Sequence, residues 1–490
     1  MSLQPDIPAW VKDAVFYQIF PDRFARSGRI PKPNNLEPWD EPPTGQGYKG
    51  GDLLGIVERL DHLTELGVNA IYLNPVFQSA CNHRYHTHDY YQVDPLLGGN
   101  EALRELIKAA QARGMRVILD GVFNHASRGF FQFSDILENG PHSAWLDWFI
   151  IQDWPLNPYT GDKPANYASW WDNRALPKFN TDNPQVREFL MRVAEFWLQE
   201  YEIDGWRLDV PEEITTPGFW EEFRQRVRAV KPDAYIVGEI WTPAADWLRG
   251  DRFDAVMNYV FTEAIIAFTA GDRVSPSLIE GRAYKPYPGI DAAEFGARIQ
   301  KLLDLYGWEA TLGQFNLLDS HDTSRLTSIA RGDQATLRLA TLFQMCYPGA
   351  PCVYYGDEVG IQGISDYDAP HDDAQARWTM PWNRPDEWDQ DLFAYFKEII
   401  HLRQKEPALR HGRYQQLYAE GQLYAFSREL DGRSLIILLN SGEEAHKADL
   451  PWDNGLAPDI LFGQPEIGKL ANGRLPVTIA AREGVVLAVA

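Results

Sequence analysis

Cysteine is scarce in this chain of 490 residues: only Cys81, Cys346 and Cys352 occur. So odd and sparse a set gives no disulfide framework and suits a reducing compartment, which makes the cytoplasm the expected location. Long apolar runs are missing as well. No stretch approaches the roughly 18–20 uninterrupted apolar residues that span a bilayer, and the N-terminal sequence lacks the basic-then-apolar pattern of a secretory leader. Positive charge is in deficit: 46 Lys and Arg against 69 Asp and Glu leave a formal charge of −23. A surface of that sign repels phosphate backbones, which argues against nucleic acid and anionic membrane as partners. No glycine-rich nucleotide loop follows the first apolar run, and the chain has no internal repeat or low-complexity tract.

Aromatic residues, by contrast, are abundant. The 17 Trp, 22 Tyr and 24 Phe can fill a large core and still leave flat faces for sugar rings. Short β-rich runs at residues 15–20, 69–73, 116–122, 205–210, 235–240, 254–258, 313–318 and 351–355 alternate with segments of helical period. Residues 52–67 place Leu53, Ile56, Leu60 and Leu63 on one helical face behind an Asp52 cap, and Asn183-Pro184 opens a helix reaching about residue 201. Eight strand–helix cycles in about 400 residues predict an α/β chain closed as a (β/α)8 TIM barrel, in preference to an open doubly wound sheet. An interval of roughly sixty residues after the third strand breaks the rhythm and reads as an inserted domain. Beyond about residue 407, runs such as 422–427, 434–439 and 484–489 read as a C-terminal antiparallel β-sandwich. The expected division is a barrel of residues 1–122 and 183–406, an inserted domain B of 123–182 and a sandwich of 407–490.

Barrel enzymes carry their chemistry at the C-terminal ends of the strands. Here the third strand ends in DGVFNH (Asp120, Asn124, His125) and the fourth in GWRLD, with Arg207 and Asp209 two apart on one face. The fifth ends in VGEIW (Glu239, Trp241) and the seventh in LLDSHD (His321, Asp322). Singly, an Asp after a strand is most often a cap or turn residue, and a lone His a satisfied structural one. Four strand ends supplying polar groups to one layer point instead to a catalytic mouth. Carboxylates without a phosphate loop or a Cys/His metal pattern suggest glycoside hydrolysis, one attacking while another, protonated, donates to the leaving oxygen. Arg207 is expected to keep Asp209 ionised, and a poorly solvated setting near Trp241 to raise the pKa of Glu239.

These segments resemble the α-amylase superfamily, glycoside hydrolase family 13. DGVFNH, GWRLDVPEE, GEIW and SHD are similar in order to its four main regions, and GGDLLGIVERLDHL, NHRYHTHDYYQVDPLLGG and GAPCVYYGDEVG to its supporting ones. LPKFN at 176–180 resembles the region that marks the neopullulanase, cyclomaltodextrinase and maltogenic amylase branch. The resemblance implies a retaining α-glucan hydrolase with Asp209 as nucleophile, Glu239 as acid/base and Asp322 as transition-state stabiliser. It places Tyr85, His125, Arg207 and His321 around the reacting sugar, with Trp241 and Asp120 as further binding residues. It implies cleavage of α-1,4 bonds, with α-1,6 bonds left open, in maltodextrins, cyclodextrins or pullulan, and admits transglycosylation as a side reaction. An α-amylase acting on starch, an α-glucosidase or a glucosyl-transferring isomerase are the alternatives on this scaffold, and a non-catalytic binding relative is disfavoured by the three carboxylates. No cofactor is required; a structural calcium is admitted, with Asn124, Asp22 and Asp52 as candidate ligands. The first strand begins near residue 15, without the N-terminal β-domain usual in that branch, so a monomer is expected in preference to a homodimer. Val210-Pro211-Glu212-Glu213 and Thr242 depart from the branch pattern on the leaving-group side and leave the α-1,4/α-1,6 balance open.

Overall fold

Eight short parallel strands carry the fold: Phe16–Ile19 (β1), Ala70–Leu73 (β2), Arg116–Gly121 (β3), Gly205–Leu208 (β4), Tyr235–Gly238 (β5), Ala255–Val256 (β6), Phe315–Leu317 (β7) and Ala350–Tyr354 (β8). They belong to a computed structural model that describes residues 6–159, 164–365, 373–452 and 456–489. The strands are buried on both faces, inside by packed side chains and outside by helices, which is why they read as apolar runs without alternation. Their order around the sheet is β6-β5-β4-β3-β2-β1-β8-β7. Tyr17 of β1, for instance, lies opposite Ile71 on one side and Val353 on the other. The circle closes between β6 and β7 through one main-chain bridge, Met257 to Phe315. Side chains supply the rest of that seam: the Asn258 amide donates to Asn316 Oδ1 (2.9 Å), and the Val256 N–H donates to Gln314 Oε1 (3.3 Å).

The covering helices form where the apolar spacing placed them, with one correction. Pro184–Glu200 starts behind Asn183, whose side chain accepts the Gln185 amide, and Phe219–Val230 follows β4. The single helix expected over 52–67 is two, Leu53–Val57 and Leu60–Leu66. Asp52 does cap the first. The chain breaks at Arg59, which leaves helical dihedrals (φ −114°, ψ 7°) and lays its guanidinium 4.5 Å from the centre of the Trp382 ring.

Between β3 and Pro184 the chain forms the helix Phe131–Asn139, short turns and isolated bridges such as Phe149 to Phe179 and Ile151 to Tyr167. An aromatic cluster holds it together, Phe133 packing edge-on against Phe149 (4.9 Å) and Tyr167 (5.0 Å). Past the helix Gln390–Lys405 lie two antiparallel sheets. The larger runs in the order Arg413–Glu420, Leu423–Leu430, Arg433–Asn440, Gly484–Val489, Asp459–Phe462; the smaller joins His446–Pro451, Arg474–Ile479 and Glu466–Ile467. Alternation sorts the larger sheet's side chains. Leu423, Ala425 and Leu438 pack between the sheets, while Tyr424, Phe426 and Leu439 face the barrel core.

Two buried guanidiniums fasten that seam. Arg403 donates to the carbonyls of Met345 (2.6 Å), Tyr347 (3.1 Å) and Leu409 (3.2 Å), and Arg428 to those of Gly412 (2.9 Å) and Cys346. Neither has a carboxylate partner among the described residues, and burial lowers them to about 9 and about 10 respectively.

Candidate active site

The C-terminal ends of the strands open into a cleft of about 600 Å³. Tyr85, His125, Asp209, Glu239, Trp241 and Asp322 line it. Asp120, Arg207 and His321 lie buried within hydrogen-bonding reach of those residues. The nine side chains singled out from the strand ends and the Tyr85 segment therefore meet in one place.

Arg207 is the hub. Its Nη1 reaches both oxygens of Asp120 (3.0 and 3.1 Å) and Asp209 Oδ1 (3.0 Å), while Nη2 lies 2.9 Å from Glu239 Oε2. One guanidinium thus faces three carboxylates with no solvent to share the load. Arg207 favours the ionised form of Asp209, and burial works against it. Burial pushes Asp209 well up, Arg207 opposes that rise, and Glu239, Asp120 and Asp322 add to it as neighbouring charges. Burial also lifts Glu239, to about 7, with Arg207 again opposing. Trp241 has a role other than drying the site: its indole N–H donates to Glu239 Oε1 at 3.1 Å, which favours the charged form. One face of that indole is already taken, stacked on Tyr259 at 3.7 Å.

The backbone contributes as well. Val210, a β-branched residue, is held in the left-handed region (φ 34°, ψ 53°), a conformation that persists only under outside constraint. Its N–H donates to Glu239 Oε2 (3.2 Å), so the strained turn after β4 links Asp209 to Glu239.

Both histidines are kept neutral by burial, His125 at about 3 and His321 well below its usual range. Gln18 Nε2 donates to His321 Nδ1 (2.8 Å), which assigns the proton to Nε2, facing Tyr85 Oη (2.6 Å) and Asp322 Oδ2 (3.0 Å). In His125 the Asn124 amide occupies Nδ1 (3.2 Å) and leaves Nε2 as a buried N–H without a protein partner. No partner for it is found among the described residues. Tyr85 donates to Asp120 Oδ2 (2.9 Å), and so does Tyr72 (2.6 Å).

Several site residues escaped the sequence reading. Gln18 stood in plain view, a polar residue inside the apolar run of β1. Tyr72 was legible only as core. Arg377, which contacts Asp322 Oδ1 at 3.1 Å, sits in an unpatterned stretch after β8 and gave no signal. The inserted segment carries seven Trp and Tyr residues: Trp148 and Tyr167 are buried, Trp145 and Trp154 pack on the core, and Tyr159 is exposed under Arg128. Trp170 and Trp171 line the cleft, stacked at 4.9 Å, and Trp170 stacks in turn on His125. Trp171 is 61% exposed, an open platform at the rim.

The calcium candidates do not assemble. Asp22 accepts the amides of Lys49 (2.9 Å) and Gly50 (3.1 Å) and Arg23 Nε (2.8 Å). Asp52 accepts the amides of Gly55 (2.7 Å) and Ser27 (3.1 Å), and Lys32 Nζ lies 2.9 Å from its Oδ2, where a second cation would have to compete with it. Asn124 Oδ1 is a buried oxygen without a partner, a single donor where calcium takes six to eight. Those residues do not fit the ion.

The chain is similar to known proteins over nearly all of its length. The model of the alpha amylase catalytic domain matches residues 18–388. A cyclomaltodextrinase of a Bacillus species is 43% identical over 442 residues, covering 90% of this chain and 74% of that protein. Neopullulanase 2 of Thermoactinomyces vulgaris is 40% identical over 487 residues, covering 98% and 78%. The native structure of the Nostoc punctiforme debranching enzyme superposes with a TM-score of 0.90 at 54% identity, covering 99% of this chain and 100% of that one.

Proposed function

Because the chain belongs to the alpha-amylase family through its catalytic domain, we propose that it is a retaining α-glucan hydrolase acting on maltodextrins, cyclodextrins or pullulan. Asp209 attacks the anomeric carbon and forms the glycosyl–enzyme bond while Glu239 gives its proton to the departing glycosidic oxygen. Glu239 then takes a proton from water, and that water displaces Asp209. Asp322, held by Arg377, faces the positive charge that builds on the sugar. Tyr85 stacks on the ring and His125 Nε2–H donates to one of its hydroxyls.

The observation that carries this reading is the shared guanidinium together with the raised acid. Burial lifts both carboxyls and the Glu239 charge raises Asp209 further, so the two titrate as a pair. With the proton on Glu239, Arg207 is left to Asp209 and Asp120, and nucleophile and acid are both in their working states. Cleavage of α-1,6 bonds is the second reading, favoured by the 54% identity to a structure described as a debranching enzyme. An oligosaccharide is then the only partner, the chain works as a monomer in the cytoplasm, and its units divide at 122/123, 182/183 and 406/407. No described helix is long and apolar enough to cross a membrane.

A side-by-side product time course on β-cyclodextrin, pullulan, soluble starch and maltotriose tests the substrate class, and light scattering tests the assembly. Proton NMR of the first-formed product tests the mechanism. The α-anomer is expected; an initial β-anomer overturns retention.

A further inference from the structure

We infer that Cys81, His83 and His86 form a binding site for a soft divalent cation of the zinc class in the wall of the cleft, and that a cation held there closes the cleft to glucan. The three residues sit on one tight loop, between the paired strands Phe77–Ser79 and Thr87–Val93. One ligand atom from each lies within 4.8 Å of the other two, the only such grouping of Cys, His, Asp and Glu among the described residues. Cys81 Sγ is 3.5 Å from His83 Nδ1. Zn–S and Zn–N bonds of about 2.3 and 2.0–2.1 Å at a tetrahedral angle set that edge at about 3.5 Å. The pair is therefore already spaced for a shared ion.

The loop is fixed before any ion arrives. Ser79 Oγ donates to the His86 carbonyl (2.8 Å), and the Asn82 amide donates to the carbonyls of Gly45 (2.9 Å) and Gly47 (2.8 Å). Thiolate and imidazole select zinc-like ions over calcium or magnesium, which take oxygen. His83 Nδ1 accepts the Tyr85 N–H at 3.3 Å, a contact that an ion bound there replaces. Binding replaces the Cys81 S–H bond by one metal–sulfur bond and releases that proton to water. Three guanidiniums face the group, and two of them are neutralised: Arg84 by Asp94 at 3.2 Å, and Arg377 by Asp322 and Asp373 at 3.1 and 3.0 Å. The third, Arg128, stacks on Tyr159. His88 and His321, also nearby, are neutral through burial.

Three protein ligands leave a fourth position, and His83 and His86 both line the cleft. An ion there meets Asp209, Glu239 and Asp322 across the same space. The blocking effect rests on the function proposed above; the binding does not.

Cobalt(II) added to the full-length protein tests the binding, because a thiolate-to-cobalt charge-transfer band reports sulfur ligation directly. We expect that band at one cobalt per chain, bleached by zinc and absent from Cys81→Ser and His86→Gln. Cys346 and Cys352 are buried and give no such band. Zinc affinity, read against a chromogenic chelator, should rise about tenfold per pH unit from about pH 6 to 8 through the single thiol proton, and fall more than about tenfold in Cys81→Ser. Zinc at saturating concentration should inhibit maltodextrin hydrolysis by the wild type and spare Cys81→Ser. Absence of the band in the wild type, or its survival in both variants, overturns the site. A band without inhibition overturns the closure, and a band in a protein that hydrolyses no glucan leaves the site standing while refuting the function.

Discussion

Buried arginine appears at two ends of this molecule under opposite conditions. At the barrel mouth Arg207 is outnumbered by Asp120, Asp209 and Glu239, and the carboxylates answer by moving up in pKa. At the seam with the C-terminal sheets, Arg403 and Arg428 meet only carbonyl oxygens, and it is the arginines that move, downward. Carbonyl dipoles cannot titrate, so the seam is a fixed fastening. Carboxylates can, and the mouth keeps a mobile proton. The same side chain serves stability in one place and reactivity in the other.

The sharpest way to break the comparison is Glu239→Gln, which keeps shape and removes the transferable proton. We expect kcat to fall on the order of 10²–10⁴-fold on unactivated glucans, and much less on aryl glycosides whose leaving group needs no acid. Equal losses on both substrates would refute the acid role. Next is Arg428→Met at the seam, which strands the Gly412 and Cys346 carbonyls. It should cost about 2–5 kcal/mol of stability in urea unfolding, with kcat/KM of the folded protein nearly unchanged.

A third test sharpens the contrast through pH. Glu239 rises from an ordinary 4.5 to about 7 on folding, so its contribution is intact below pH 4.5 and is lost as pH climbs through 7. Glu239→Gln escapes that loss. Its Tm should equal the wild type near pH 4 and exceed it at pH 8, by the equivalent of at most about 3 kcal/mol. An advantage at pH 4 that vanishes at pH 8 would reverse the sign and sink the argument. The smallest effect belongs to the rim. Trp171→Ala removes one stacking face, worth about 1 kcal/mol, and should raise KM for maltodextrins roughly fivefold while sparing short aryl glucosides.

Much of this was legible in the sequence because a parallel strand, buried on both faces, is a run of apolar residues that ends where chemistry begins. DGVFNH, GWRLD, VGEIW and SHD mark such ends, and their residues meet at one cleft. What stayed illegible follows from packing. Arg59, where the helix breaks, lies over Trp382, more than three hundred residues away. Arg377 reaches Asp322 from a loop without period, and no local rule points a loop side chain across a barrel. The balance at Asp209 was half legible for a related reason: a neighbour two residues away is visible in a sequence, whereas depth of burial is not.

The seam between β6 and β7 carries a different lesson. Around the rest of the barrel the ladder is main chain, which every residue but proline supplies, so most substitutions leave it intact. Here one bridge is left and the amides of Asn258, Asn316 and Gln314 complete the closure. The ring is inherited as geometry on one side and as specific side chains on the other. A single substitution at Asn258, Asn316 or Gln314 removes a link of this joint that the main chain does not replace.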